Sequence, residues 1–258
     1  MSLYKICLLI IVHVSFASLI GLNQKNLIIL RGQITGKIAA DVIIRMNTVS
    51  VHTIYIYISS PGGSVMDGLT IIDQIEVMKY RGTDVHCIAD VALSMAFMIF
   101  QSCPTRHVTS ASILMQHQMS LTVQGNLRNV ETYMDFILRT SLVTDTRQAK
   151  RMGLDLELFR FKLVSDWWLQ GADIVVQGGA DHLTHVYCEP VLSRRTIVDK
   201  INTEFYSVNI TYSGCPIVRS PLKVSQLALD DSFNVDITKA LRNNIPSLFL
   251  AEAMGLKL

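Results

Sequence analysis

The segment that most constrains this chain is a strand-like run that ends on a Pro-Gly-Gly turn and passes at once into a helix. Thr53 to Ile58 alternates aromatic and β-branched residues, the pattern of an extended strand. Ser59-Ser60-Pro61-Gly62-Gly63-Ser64 follows, and then Val65, Leu69, Ile72, Ile75 and Met78 recur at helical spacing up to Tyr80. Only glycine lets a backbone approach another group this closely, and the N–H groups of such a turn are suited to holding an oxyanion. A chain carrying this unit must build a sheet whose strands feed helices.

The rest of the sequence repeats that alternation. Leu27–Leu30 reads as a strand, Gly36–Met46 as a helix, and Gly63–Tyr80 as a helix closed by Gly82. Val85–Ile88 is a third strand. The apolar run Ile88–Phe100 looks helical and continues to about Ser102, with Ser94 near its N-terminus. Arg106–Met115 gives one or two short strands, 126–152 a long helix with a mixed face, Gly171–Gly178 a short helix and Leu183–Cys188 a last strand. Strands alternating with helices predict an α/β fold. Past about Ser193 the chain is neither low in complexity nor rich in charge, and no element is assigned there.

Composition narrows the partners. Half of the residues are apolar and the formal charge is only +2. No basic patch with interleaved aromatics occurs, so nucleic acid is not expected as a partner. Residues 1–21 carry one early cation, Lys5, then an apolar run, then small residues at Ser15, Ala17 and Ser18. This pattern predicts a secretory signal peptide cleaved near Ala17, or an uncleaved membrane anchor. A mitochondrial leader is the rival reading, because no acidic residue occurs before Asp41. Cys87, Cys103, Cys188 and Cys215 would remain after cleavage; they allow three full pairings, and their spacing fits no zinc pattern.

Four pieces occur in order: the strand with Ser-Pro-Gly-Gly-Ser (60–64), the Ser94-Met95 pair, Gln116-His117-Gln118, and Ser165-Asp166-Trp167-Trp168-Leu169. Together they resemble the proteolytic subunit of the Clp protease, the ClpP family of serine peptidases, over about Asn26 to Pro190. The resemblance implies a ClpP/crotonase-like spiral of strand-strand-helix repeats. It implies Ser94 as nucleophile, His117 as general base and Asp166 as the carboxylate that orients it. Gly62, Gly63 and Met95 would supply the oxyanion hole. His107 competes with His117, and Asp155, Asp173 and Asp181 compete with Asp166. A buried small serine and a helix-capping Asp166 are the bland alternatives.

The implied organisation is 1–21 signal peptide or anchor, 22–193 catalytic domain and 194–258 a C-terminal extension. The implied activity is hydrolysis of peptides or unfolded proteins by a homo-oligomer, with no metal or cofactor. Ala96 stands where the family usually carries a glycine two residues after the serine, the bulky Phe97 follows it, and Trp167 stands where the family commonly carries an arginine. An apolar leader replaces the family's polar segment that meets an unfoldase, so an ATPase partner is not expected. These departures motivate an inactive assembly or peptide-binding subunit as the alternative, and a crotonase-type acyl-CoA enzyme is a second one; a membrane peptidase with a serine–lysine dyad like signal peptide peptidase A is opposed by the Ser94–His117 pairing.

Overall fold

The computed structural model describes residues 18–202 and 206–228. The leader reading of residues 1–17 and the last thirty positions lie outside the described residues.

The chain enters as β1 (Ser18–Leu22) and β2 (Leu27–Arg31), then forms α1 (Gly36–Thr48), β3 (Thr53–Ser60), α2 (Val65–Tyr80), β4 (Asp84–Leu93), α3 (Met95–Ser102) and β5 (Thr105–Gln116). It continues through α4 (Leu127–Met152), α5 (Leu156–Lys162), β6 (Trp167–Gln170), α6 (Ala172–Val176), β7 (His182–Cys188) and α7 (Pro190–Arg194). A second unit follows: β8 (Thr196–Asn202), β9 (Tyr206–Ser213) and β10 (Lys223–Ala228). The main sheet runs β1-β7-β5-β4-β3-β2 with parallel neighbours, and β6 adds to β5 antiparallel. The mixed α/β architecture with a mostly parallel sheet is the one expected from the alternating pattern.

Several elements differ from expectation. A strand at Ser18–Leu22 precedes Leu27–Arg31 and pairs with β7, so a boundary at residue 21 falls inside a strand, whereas one after Ala17 would leave it whole. The run from Ile88 to Phe100 is not one helix. It is the end of β4, a one-residue turn at Ser94, and α3. A parallel strand buried on both faces is continuously apolar, and so lacks the alternation that marks a half-exposed strand. The segment 106–115 forms one continuous strand.

One face of the sheet presents Leu30, Ile56, Ile58 and Ala89 to Val42 of α1, Ile71 and Ile75 of α2, and Phe97 and Phe100 of α3. Both phenylalanines are fully buried, each worth about 1.5–3 kcal/mol of transfer free energy. Phe97 is thus a core residue of α3. The other face carries Tyr57 and Ile88, covered by Ile20 and Leu22 of β1 and Leu192 of α7.

The C-terminal residues 196–228, unassigned in the sequence, form an antiparallel three-stranded sheet in the order β10-β9-β8. Several contacts hold it to the main domain. Cys188 is disulfide-bonded to Cys215 with Cα atoms 5.8 Å apart. The Arg31 guanidinium lies 4.4 Å from the centre of the Tyr212 ring. Arg219 pairs with the buried Asp90. A second disulfide, Cys87–Cys103, joins β4 to the residue that ends α3. Among the described residues, no helix is long and apolar enough to cross a membrane.

Candidate active site

Ser94 occupies the turn where β4 becomes α3. Its backbone lies at φ 54°, ψ −119°, and it is the one non-glycine residue with positive φ among the described residues. Holding a side chain there costs on the order of 1–3 kcal/mol, so the surroundings must fix it. Two features do so. The Ser94 N–H donates to the carbonyl of Met115 on β5 at 2.9 Å, and α3 is anchored by its buried apolar residues. Gly68 of α2 makes room for Met95, since a Cβ there would lie 2.4 Å from Met95 Cγ. The hydroxyl is left half-buried beyond the C-terminal end of the strand, at a helix N-terminus where negative charge is favoured.

His117 follows the last residue of β5, and its Nε2 lies 2.8 Å from Ser94 Oγ. The backbone N–H of His117 donates to Gln116 Oε1 at 3.1 Å. Gln116 Nε2 donates in turn to Gln148 Oε1 of α4 at 2.6 Å. Buried Gln116 and Gln148 therefore hold the backbone that carries the imidazole. Sequence reasoning missed Gln148, whose burial depends on which part of the long helix packs on the domain. The competitor His107 bonds elsewhere, to His86 at 2.9 Å and Thr184 at 3.0 Å. Its burial, and then the neighbouring His86 and His182, push it down to about 4.

Asp166 immediately precedes β6 and leads into a strand instead of capping a helix. Gln116 pairs with Trp167 in the antiparallel ladder, so His117 and Asp166 are the next positions beyond its end. No hydrogen bond joins the two side chains, and Asp166 is exposed. The rival carboxylates are engaged elsewhere. Asp155 caps α5 by accepting from Glu157 N–H at 2.8 Å. Asp173 accepts from Gln177 at 2.8 Å, and Asp181 pairs with both Arg106 and Arg151.

The Pro-Gly-Gly turn packs directly against the Ser94 turn. A Cβ on Gly62 would lie 2.8 Å from Ser94 Cβ and 2.9 Å from Met95 N, so a side chain at 62 would fill the site. The Gly62 N–H is itself donated to Ser60 Oγ at 3.1 Å. Ile34 takes the Gly62 carbonyl at 2.7 Å and the Ser64 N–H at 3.0 Å. Because successive peptide groups of a strand face opposite edges, the Gly63 N–H points away from Ile34. Met95 is the first residue of α3, so its N–H has no intrahelical acceptor. Among the described residues, no group of His, Cys, Asp or Glu is arranged to hold a metal ion.

A serine hydroxyl within hydrogen-bond reach of an imidazole is an arrangement that can perform acyl transfer. The family described as Clp protease matches residues 14–186. The chain is 27% identical over 169 residues to the ATP-dependent Clp protease proteolytic subunit of Borreliella afzelii, covering 63% of this chain and 84% of that one. It is 28% identical over 167 residues to ATP-dependent Clp protease proteolytic subunit 1 of Prochlorococcus marinus, covering 62% and 84%. The three-stranded sheet at 196–228 lies beyond the family match.

Proposed function

The chain belongs to the Clp protease family, and we propose that it is a serine endopeptidase working through an acyl-enzyme intermediate. The observation that carries this reading is the 2.8 Å approach of His117 Nε2 to the hydroxyl of Ser94 at a strained turn. Ser94 Oγ attacks the scissile carbonyl carbon while its proton passes to His117 Nε2. The carbonyl oxygen becomes an oxyanion held by the N–H groups of Gly63 and Met95. The C–N bond then breaks as His117 returns the proton to the departing amine. Water, deprotonated by the same imidazole, releases the acyl group from Ser94.

Asp166 is the carboxylate in register to orient the Nδ1–H of His117. Catalytic hydrogen bonds often tighten only when substrate is bound, and this contact is expected to close in the acyl-enzyme. Extended peptide adds beside Gly63, by main-chain hydrogen bonding. The exposed, unbonded Asp166 favours one other reading, an inactive peptide-binding subunit.

The protein assembles as a homo-oligomer in this account. What supports that is α4, whose buried residues begin only at Thr144, while Leu127, Phe136, Leu138 and Val143 are exposed. It acts in a secretory or extracytoplasmic compartment. The support is the leader and the two disulfides, which persist in oxidising surroundings. There no ATP-driven unfoldase feeds it, and short or unfolded peptides are the substrates.

Ser94→Ala tests the reading, because it removes one hydroxyl and adds no bulk. Turnover of a short peptide ester should fall on the order of 10³-fold or more, with His117→Ala costing a similar factor. Wild-type turnover by Ser94→Ala would refute the assignment. A wild-type protein that binds peptide without turnover would favour the inactive subunit.

A further inference from the structure

The strands that deliver the candidate site lose their regular register at one level. β3 and β4 slip between Ile58 and Ser59, and β4 slips between Ala89 and Val91, so Asp90 has no partner in the ladder. On β5 the pairing jumps from Val108 to Ile113. Such irregularities re-aim the residues that follow. Here those residues are Gly62 and Gly63, Ser94, and His117.

One side chain from outside the sheet ties this level together. Arg219 lies between β9 and β10. Its Nε donates to Asp90 at 3.0 Å (Oδ1) and 3.2 Å (Oδ2), and its Nη2 donates to Asp90 Oδ1 at 2.5 Å. The same Nη2 reaches the Ala111 carbonyl of β5 at 3.1 Å. Asp90 Oδ2 also accepts from Ser59 Oγ of β3 at 3.2 Å. The Asp90 side chain is 5% exposed. A carboxylate this buried needs its partner, and removing one member of such a pair leaves an uncompensated charge. Arg219 thus joins β3, β4 and β5, three to six residues before each contributes to the site. The Cys188–Cys215 disulfide fixes the start of the segment that carries it.

We propose that Arg219 is a positioning residue for the candidate active site, holding through Asp90 and Ala111 the register of the strand ends that carry Gly63, Ser94 and His117. The C-terminal sheet is then part of the catalytic scaffold and not a passive appendage. The inference rests on the peptidase reading for its kinetic consequence, but not for its structural one. A displacement of about 1 Å in a catalytic constellation can cost on the order of 10² in rate.

The test compares the full chain with Arg219→Met, Arg219→Lys and the double variant Asp90→Asn/Arg219→Met. Turnover of the peptide ester, the labelling rate of Ser94 by a fluorophosphonate and backbone amide exchange are each followed. Arg219→Met should lower kcat and the labelling rate together by at least about tenfold, with KM within twofold. Arg219→Lys, which keeps the charge but not the fork, should recover part of the loss. The double variant should be no worse than Arg219→Met, because both changes break one link. Amide exchange should rise at 91–95 and 113–117 and stay unchanged at Leu27–Ile29 and Thr53–Tyr55. Unchanged kcat in Arg219→Met, or exchange that rises equally across the sheet, would overturn the proposal. A wild-type protein that the probe does not label would refute the peptidase reading instead, and the exchange pattern alone would then decide the role of Arg219.

Discussion

Acid should destabilise this protein through one buried imidazole. His107 is 5% exposed and belongs to a hydrogen-bonded chain across β4, β5, β7 and β1. Asp84 Oδ2 accepts from His86 Nε2 at 2.8 Å, so neutral His86 accepts at Nδ1. His107 Nε2–H then donates there at 2.9 Å, and His107 Nδ1 accepts from the Thr184 hydroxyl at 3.0 Å. The Thr184 oxygen is 2.9 Å from Ser18 Oγ. The groups around His107 are His86, His182, Asp181 and Asp84; burial dominates and lowers it to about 4. In the unfolded chain the imidazole titrates near about 6.5. The unfolded state therefore binds the proton first, and stability falls as pH drops from about 6.5 towards about 4, levelling off below. Between pH 7.5 and 5 the loss integrates to about 2 kcal/mol, or about 4–8 °C in Tm for a chain of this size. Asp84, held below the usual carboxylate range by its bond from His86, titrates further down and does not confuse this window. Urea unfolding of the wild type and His107→Gln at both pH values measures it. The wild type should lose about 2 kcal/mol more than the variant over that interval. Parallel losses would refute the assignment of the acid response to His107.

Other outcomes follow from the same geometry. Gly62→Ala forces a Cβ to 2.7 Å from the Leu93 carbonyl at φ +93°; it should cost about 1–3 kcal/mol in thermal unfolding and lower kcat on the order of 10²-fold. Asp166→Asn should lower kcat on the order of 10²-fold or more while leaving Tm within a few degrees, whereas Asp181→Asn should lower Tm and spare kcat. The double variant Cys87→Ala/Cys103→Ala opens a link between residues 16 apart and should cost about 3 kcal/mol, read by urea unfolding. Phe136→Asp with Leu138→Asp on α4 should reduce the sedimentation coefficient of the assembly, and a wild-type monomer at micromolar concentration would contradict the oligomer.

What was legible in the sequence tracks how local each signal is. Ile72, Ile75 and Met78 recur at helical spacing because α2 buries one stripe, and the helix ends at Tyr80 as the pattern does. Pro61-Gly62-Gly63 announced a turn because those φ values belong to glycine. Ser94 and His117 were found from their motifs and meet in the fold. The boundary within Ile88–Phe100 was hidden because a buried strand and a buried helix share one composition there. β6 has four residues, too few to show a period. The Gly62 N–H is taken up by the Ser60 hydroxyl, a contact two residues apart that no spacing rule encodes. Arg219 and Asp90 are 129 residues apart, and only the tertiary fold shows that they meet.

The central claim is that Ser94 is a nucleophile activated by His117. Reaction with a fluorophosphonate, followed by peptide mapping in a mass spectrometer, tests it most directly, since only an activated serine is phosphonylated. One adduct on Ser94 is expected, lost in Ser94→Ala and strongly slowed in His117→Ala. No adduct on the folded wild type, or undiminished labelling at another serine in Ser94→Ala, would contradict it.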